Sequence, residues 1–478
     1  MRSIPNPQRR RKFSFADSIQ AFLLQDGLPF SNVLDGELIA QTFARYGSPL
    51  QGIYTHAVVL WAFLSQVLRD GKEASCQSAV ARIISHLTAQ NNPTPTSDTG
   101  DYCRARAKLP EAGLKELACH VADEAEQQAD PKWLWKGRHA KLVDGFTFLM
   151  PDTDKNQQAY PQHTAQKPGI GFPIARVAAI LSLATGCILA AAIGPFLGKG
   201  TGETALLRLL LSFFRKGDVV VADRYFCAYW LVATLMKMGV DICFRQVEGR
   251  AVSMFKQQRL GRNDHLMVWQ RPTKSSWMTQ AFYEGLPKQI VVRRLKYQIN
   301  VPGRKQDPFV ILTTLTNVTG EQAVSYDDLA QLYQFRWNAE LDVRSIKTVL
   351  NLHHVRCKSP EMVHREFWTT LLAYNLIRVT LANSAALHDR QPRELSFVSG
   401  CQFVLAAWQE FPNLRGTDQQ LEYALRLLKE LSQCLVRNRP GRIEPRVVKK
   451  RKDRYRLMVQ PRNELRQRLK SGDNGFES

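Results

Sequence analysis

Apolar residues change their period along this chain, and the change divides it. Residues 17–91 repeat them at helical spacing, as in His56–Leu68 (HAVVLWAFLSQVL) and Cys76–Leu87, which predicts amphipathic helices. Asn91-Asn92-Pro93-Thr94-Pro95-Thr96-Ser97 is a polar, proline-broken linker, and Glu111–Gln128 predicts another helix. After Trp135 the period shortens. Lys141–Phe148 (KLVDGFTF) reads as a strand, followed by apolar strands near 174–183 and 187–193. Glu203–Arg215 reads as a helix with its acid near the start and its cations at the end, as the dipole favours. Asp218–Ala222 (DVVVA) is a short, mostly apolar strand closed by Asp223, Cys227–Met238 is helical, and Val240–Gln246 is strand-like. Three strands, helix, strand, helix, strand predict an α/β layer with a mixed sheet.

Residues 247–305 break this alternation with strand-like His265–Gln270 and Ile290–Gln298, and read as a β-rich insertion. Phe309–Leu315 returns the chain to a helix over Asp327–Leu350 and a second over Glu361–Ser384, with further helices in 395–435. The expected organisation is a helical unit (1–135), a first core part (136–246), the insertion (247–305), a second core part (306–390), and C-terminal helices with a basic tail (391–478). The helical unit suits DNA binding, dimerisation or scaffolding equally. Val177–Gly198 has no charged residue and is long enough to span a bilayer. Thr185-Gly186 interrupts it and Gly194-Pro195 ends it, so two strands joined by a turn are expected, and no membrane partner.

Charge narrows the partner. The 478 residues carry a net charge of +22, which favours a polyanion. Half of that excess lies between Arg437 and Lys470, where fourteen Lys or Arg face three acids. This stretch is expected to be an extended arm ordered by its partner. Arg9-Arg10-Arg11-Lys12 forms a second basic arm, with no apolar signal core after it. The nine cysteines show no paired CxxC spacing, which argues for reduced thiols and against a zinc site.

The chemistry concentrates in the predicted helix over Asp327–Leu350. Tyr333, Arg336, Glu340 and Lys347 are spaced to share one side of a helix. A carboxylate among phosphate-seeking cations suits a metal-dependent enzyme acting on a nucleic-acid backbone. A Glu–Arg pair one turn apart is also common as a surface ion pair. Asp342 points off that face and is expected to be solvated. Asp144 lies inside an apolar strand, where a carboxylate is costly unless paired or metal-bound, although a surface position near a turn would also explain it. Asp223 closes a buried strand, the place where α/β sheets carry functional groups, and equally suits a helix N-cap. Three such carboxylates can bind two Mg²⁺ ions through oxygen and catalyse phosphoryl displacement.

Together these residues resemble insertion-sequence DDE transposases of the IS-four family, whose signature is Tyr-x2-Arg-x3-Glu-x6-Lys. Tyr333, Arg336, Glu340 and Lys347 match it without a gap. Asp144 in Leu142-Val143-Asp144-Gly145 and Asp223 in Val221-Ala222-Asp223-Arg224-Tyr225-Phe226 match the two other acids. The tail Arg446–Arg451 is also similar, including Lys449, Lys450 and Arg451 as DNA contacts. The resemblance implies an RNase H-like core with a β-rich insertion, and metal held by Asp144, Asp223 and Glu340. Mg²⁺ is the expected cofactor, with Mn²⁺ able to substitute. It further implies Arg336 and Lys347 on phosphates and Tyr333 positioning the strand. Trp269 and Trp277 are the two candidates to stack on a flipped base. The implied partners are double-stranded terminal inverted repeats and target DNA, bound by a homodimer. The implied setting is bacterial cytoplasm, on the nucleoid when bound. The implied reaction is cut-and-paste transposition through strand cleavage, hairpin formation and strand transfer. The alternatives are a catalytically inactive, transposase-derived DNA-binding protein and a structure-specific nuclease with the same core.

Overall fold

In the computed structural model, residues 34, 36–89, 91–247, 254–297, 309–410, 414, 417–436, 458 and 460–472 are described. The alternation after Trp135 becomes nine strands: β1 (Ala140–Leu149), β2 (Ile174–Ser182), β3 (Ile188–Pro195), β4 (Val219–Ala222), β5 (Asp241–Arg245), β6 (Met254–Gly261), β7 (Asp264–Gln270), β8 (Gln289–Tyr297) and β9 (Phe309–Thr313). They form one sheet in the order β3-β2-β1-β4-β5-β9-β8-β7-β6. Strands β1, β4 and β5 run parallel, and every other neighbouring pair is antiparallel. Strands β6 to β8 extend this same sheet as a meander.

The uncharged stretch after Val177 is the β2–β3 hairpin. Gly186 turns it with φ +78, a conformation that favours glycine, and the Arg378 side chain lies 3.0 Å from where a Cβ would stand. Among the described residues no helix is long and apolar enough to cross a membrane.

Helices cover both faces. Before the sheet come α1 (Gly36–Ala44), α2 (His56–Val67), α3 (Cys76–Ala89), α4 (Gly100–Ala107) and α5 (Glu111–Gln127); within it, α6 (Asp154–Ala159), α7 (Glu203–Arg208), α8 (Tyr229–Lys237) and α9 (Gln280–Glu284). After β9 come α10 (Tyr326–Gln334), α11 (Trp337–Arg344), α12 (Pro360–Leu387), α13 (Phe397–Glu410), α14 (Thr417–Ser432) and α15 (Arg462–Lys470).

Strand alternation separates two apolar layers. Leu142, Phe146, Val219 and Val221 face α10, α11 and the long α12. Val143, Val220 and Ala222 face α7 and α8. The first layer continues into α2 and α5, which pack on α12. Buried Asn375 of α12 fastens three elements: it accepts from Ile188 N (2.8 Å) and donates to Ile188 O (3.0 Å) and Ala118 O (2.9 Å).

Two predicted helices are cut differently. Helix α7 stops at Arg208, and a 3₁₀ turn follows at Leu211–Phe213. The chain must descend there, because Asp218 is buried at the foot of β4, 2.6 Å from Lys141 Nζ and 2.6 Å from the Arg215 N–H. The predicted helix over Asp327–Leu350 is three segments. Helix α10 starts with a capping box between Ser325 and Asp328. Around Phe335-Arg336 the bonds tighten to i−3, as in Arg336 N to Tyr333 O (3.0 Å). After α11 the chain widens into a π turn at Ser345–Val349. That wider turn moves Lys347 away from the face a 3.6-residue period would give it.

The expectation for Asp342 is corrected. It is fully buried, bonded to Arg378 Nη2 and 2.9 Å from Arg393 Nη1. At 200° from Glu340 on the helix it turns inward, toward α12. In the tail, α15 is helical rather than extended and buries none of its residues. The basic arm at 9–12 and Lys449, Lys450 and Arg451 lie outside the described residues.

Asp342→Ala leaves two arginines buried without their carboxylate, and should cost about 3–5 kcal/mol. Urea unfolding measures this; a loss below about 0.5 kcal/mol would be the value for a solvated residue.

Candidate active site

Strand register brings the first two acids together. Strands β1 and β4 pair in parallel with Val143 opposite Ala222. The next step along both chains sets Asp144 beside Asp223, on backbones about 4.8 Å apart. Alternation puts Asp144 on the face of Leu142 and Phe146, and Asp223 on that of Val219 and Val221, so both look toward the layer of α10–α12.

The local backbone fixes each carboxylate. Asp144 lies mid-strand, not at a turn, and its Oδ1 accepts from Gly145 N (2.9 Å). Asp223 is extended and its Oδ1 accepts from Tyr225 N (2.9 Å), capping the 3₁₀ turn Arg224–Phe226. The cap and the strand-end position are thus compatible, since a capping carboxylate keeps further lone pairs. Glu340 comes from α11, which packs on β1. Its Oε1 accepts from Arg336 Nη2 (2.7 Å).

Electrostatics tie the three acids into one system. Burial pushes the Asp144 carboxyl up to about 6, helped by repulsion from Asp223 and Glu340 and opposed by the Gly145 N–H and Arg336. Burial also raises Asp223, against the pull of the Tyr225 N–H and Arg336. The Arg336 guanidinium therefore lies within the field of all three carboxylates. Among the described residues, no three His, Cys, Asp or Glu side chains are already drawn into one coordination shell. The donor set is nonetheless all oxygen, and its mutual repulsion calls for a hard cation. The residue types fit Mg²⁺ or Mn²⁺.

The remaining sequence candidates are distributed around this centre. Lys347 is half-buried, and burial lowers its ammonium. Tyr333 is only 9% exposed, packs on Phe309 (5.5 Å between ring centroids), and has its hydroxyl pushed up to about 12 by burial. Arg336 lies 5.9 Å from the centroid of its ring. Tyr333 thus props Arg336 from within the core rather than presenting its ring to solvent. Trp269 is 6% exposed and set edge-on to Tyr229. Trp277 is 41% exposed, with the Arg208 guanidinium 3.9 Å from its ring centroid. It lines an open cavity of about 540 Å³ that also reaches Tyr225, two residues from Asp223.

Glu203 was read from sequence only as a helix-dipole residue. It opens α7 and lies directly over Gly145. Burial raises its carboxyl and Asp223 raises it further, against Arg176. The available sequence signal was Gly145 itself, because glycine inside a strand marks a close approach.

An α/β sheet that sets two acids side by side, with a third on a covering helix, gathers oxygen donors of the kind that can hold divalent cations. The transposase DDE domain family model matches residues 135–376, and the chain belongs to that family. It is similar to the transposase InsG for insertion sequence element IS4 of Escherichia coli strain K12. The two are 24% identical over 436 residues, spanning 88% of this chain and 92% of that protein. The putative transposase InsZ of the same organism is 24% identical over 152 residues, 27% of this chain and 50% of that one. A cryo-EM structure of the piggyBac transposase synaptic complex with hairpin DNA aligns at 10% identity, covering 92% of this chain and 89% of that one, with TM-score 0.43.

A carboxyl raised from 3.8 to about 6 in the folded state destabilises the protein as pH climbs through that window, because the native state then holds the proton more tightly than the unfolded state. In buffer free of divalent cations, Asp144→Asn should therefore be more stable than wild type at pH 8, by about 1–3 kcal/mol. The gap should close below about pH 4. Urea denaturation across pH measures it, and a pH-independent gap would contradict the assignment.

Proposed function

We propose that this chain is an active DNA transposase that moves an insertion sequence by cut-and-paste chemistry, on an RNase H-like core. The core reading is supported by the strand order 3-2-1-4-5, antiparallel through β1–β3 and parallel through β1, β4 and β5. The catalytic reading is carried by one observation: the β1–β4 register that sets Asp144 next to Asp223 on the face covered by the Glu340 helix.

Asp144, Asp223 and Glu340 would hold Mg²⁺ or Mn²⁺. When bound, such ions lower the pKa of an attacking water or hydroxyl and stabilise the leaving oxygen. The chain's own residues do the positioning. Arg336 exchanges its bond to Glu340 for the phosphate beside the scissile link, using its planar fork of donors. Lys347 supplies a second cation on the strand, and Tyr333 holds Arg336 from behind. Trp277 is favoured over Trp269 for stacking on an unpaired base because it is 41% exposed where Trp269 is 6%; both line the cavity that reaches Tyr225, and a stacked base would take the place of the Arg208 guanidinium or use the other ring face. Strand nicking, hairpin formation by the freed 3′-hydroxyl, reopening and joining to target are successive phosphoryl transfers that one such centre can serve. The substrates are double-stranded inverted repeats and target DNA, and a homodimer would bring two ends together.

The division into units at 135, 246, 305 and 390 belongs to the same proposal, as do DNA contacts from Lys449, Lys450 and Arg451. Residues 437–478 would bind backbone non-specifically. Their deletion should weaken DNA affinity and flatten its salt dependence, whereas an unchanged salt slope would remove the arm from the DNA interface.

The central test is incubation with the element's own end DNA and Mg²⁺. Wild type should nick it, and Asp223→Asn should be slower by more than about 100-fold, since a ligand counts for more than its outer-shell supports. Equal cutting by the variant refutes the site. Salt-sensitive binding without any cut leaves the non-catalytic DNA-binding reading, and cutting without strand joining leaves a nuclease. Trp277→Ala should reduce hairpin formation more than initial nicking, measured on the same gel.

A further inference from the structure

Gly145 adopts no left-handed conformation, so nothing in the backbone asks for glycine at this point of β1. Its neighbour does. A Cβ built there would lie 2.2 Å from Glu203 Cδ and 2.5 Å from Glu203 Oε1, far inside any real contact. The missing side chain is what lets the Glu203 carboxylate rest on the strand next to Asp144.

That carboxylate is poorly compensated. Among the described residues it makes no hydrogen bond and no ion pair. Arg176, its opposing charge, donates instead to Thr201 O (3.2 Å) and lies 4.3 Å from the Phe196 ring centroid. Its oxygens are not sealed from solvent, so the carboxylate is open to a cation.

Glu203 approaches from the α7 face and Glu340 from the opposite one, yet the two can serve one centre. Strand β4 ends at Ala222, whereas β1 runs on to Leu149. At the level of Asp144 and Gly145 the β1–β4 pairing has ended, so no strand separates the two faces on the side of Asp223. The field of Asp223 does reach Glu203.

We propose that Glu203 is a fourth carboxylate of the divalent-cation site, seated on Gly145 and adding charge and an oxygen donor beside Asp223. This rests on the reading of Asp144, Asp223 and Glu340 as metal-holding residues. Glycine after Asp144 is, on this account, a clearance for Glu203.

Calorimetric titration of the full chain with Mn²⁺, without DNA, tests it. Glu203→Gln should weaken Mn²⁺ binding by about 10-fold or more. Gly145→Ala should weaken it to a similar extent, because the new methyl group displaces the same carboxylate. The double variant should be no weaker than either single one, as expected for two changes acting on one contact. Melting of the cation-free proteins confirms that each variant folds, and Gly145→Ala carries the test if Glu203→Gln does not. Wild-type Mn²⁺ affinity in Glu203→Gln, with binding lost in Asp223→Asn, overturns the fourth carboxylate and leaves the three-acid centre standing. Additive losses in the double variant also overturn it. A wild-type chain that binds no Mn²⁺ sinks the three-acid reading and this one together.

Discussion

One fully buried carboxylate decides how the covering helix meets the sheet. Asp342 is held by Arg378 and Arg393, and these carry its position outward. Arg378 donates to the Tyr374 hydroxyl (2.8 Å), which donates to Gly186 O (3.0 Å), while Arg393 donates to Leu183 O (2.5 Å) and Ser182 O (2.6 Å). A single carboxylate thus joins α11, α12 and the turn of the β2–β3 hairpin. Buried ion pairs contribute little net stability against apolar replacements, but they tolerate few geometries. With Asp342 pinned inward, Glu340 half a turn away is sent toward β1.

The second constraint is the β1–β4 register. A one-residue slip would put Asp144 and Asp223 on opposite faces, since side chains alternate strictly. The four-residue β4 is buried on both faces by the Val219–Ala222 run, so a slip would also misplace every valine. Hydrophobic burial therefore holds together two carboxylates that repel each other. Burial first, and then repulsion from Asp223 and Glu340, push the Asp144 carboxyl up to about 6.

Much of this was readable before any coordinates. The β1–β5 order and the hairpin at Val177–Gly198 follow from apolar runs broken by turn residues. The resemblance to IS-four transposases, of which the four residues at fixed spacing are the specific part, agrees with the family and relatives found. What the sequence hid has physical causes. Asp342 reads as solvated because its two arginines lie 36 and 51 residues away, and only folding places them around it. The burial of Tyr333 is not legible in the sequence because its partner Phe309 lies on a strand that only folding brings to this helix. Trp269 and Trp277 are indistinguishable by composition, and burial alone separates them. Glu203 was hidden in a predicted helix, although the glycine it requires was in plain view.

The helix carrying Glu340 is built unlike the strands carrying the other two acids. Strands β1 and β4 are regular and buried, so Asp144 and Asp223 have little freedom. Around Glu340 the chain passes through i−3 bonds at Phe335-Arg336, an α segment, and a π turn at Ser345–Val349. Changes of hydrogen-bond period concentrate where a side chain must be aimed rather than merely packed. Here they lie on both sides of the anchor at Asp342. The anchor fixes the segment's inward face, while the tight and wide turns set where Arg336 and Lys347 emerge. Two acids are thereby held by regular strands, and the third acid and both cations by a segment whose helical period changes along its length.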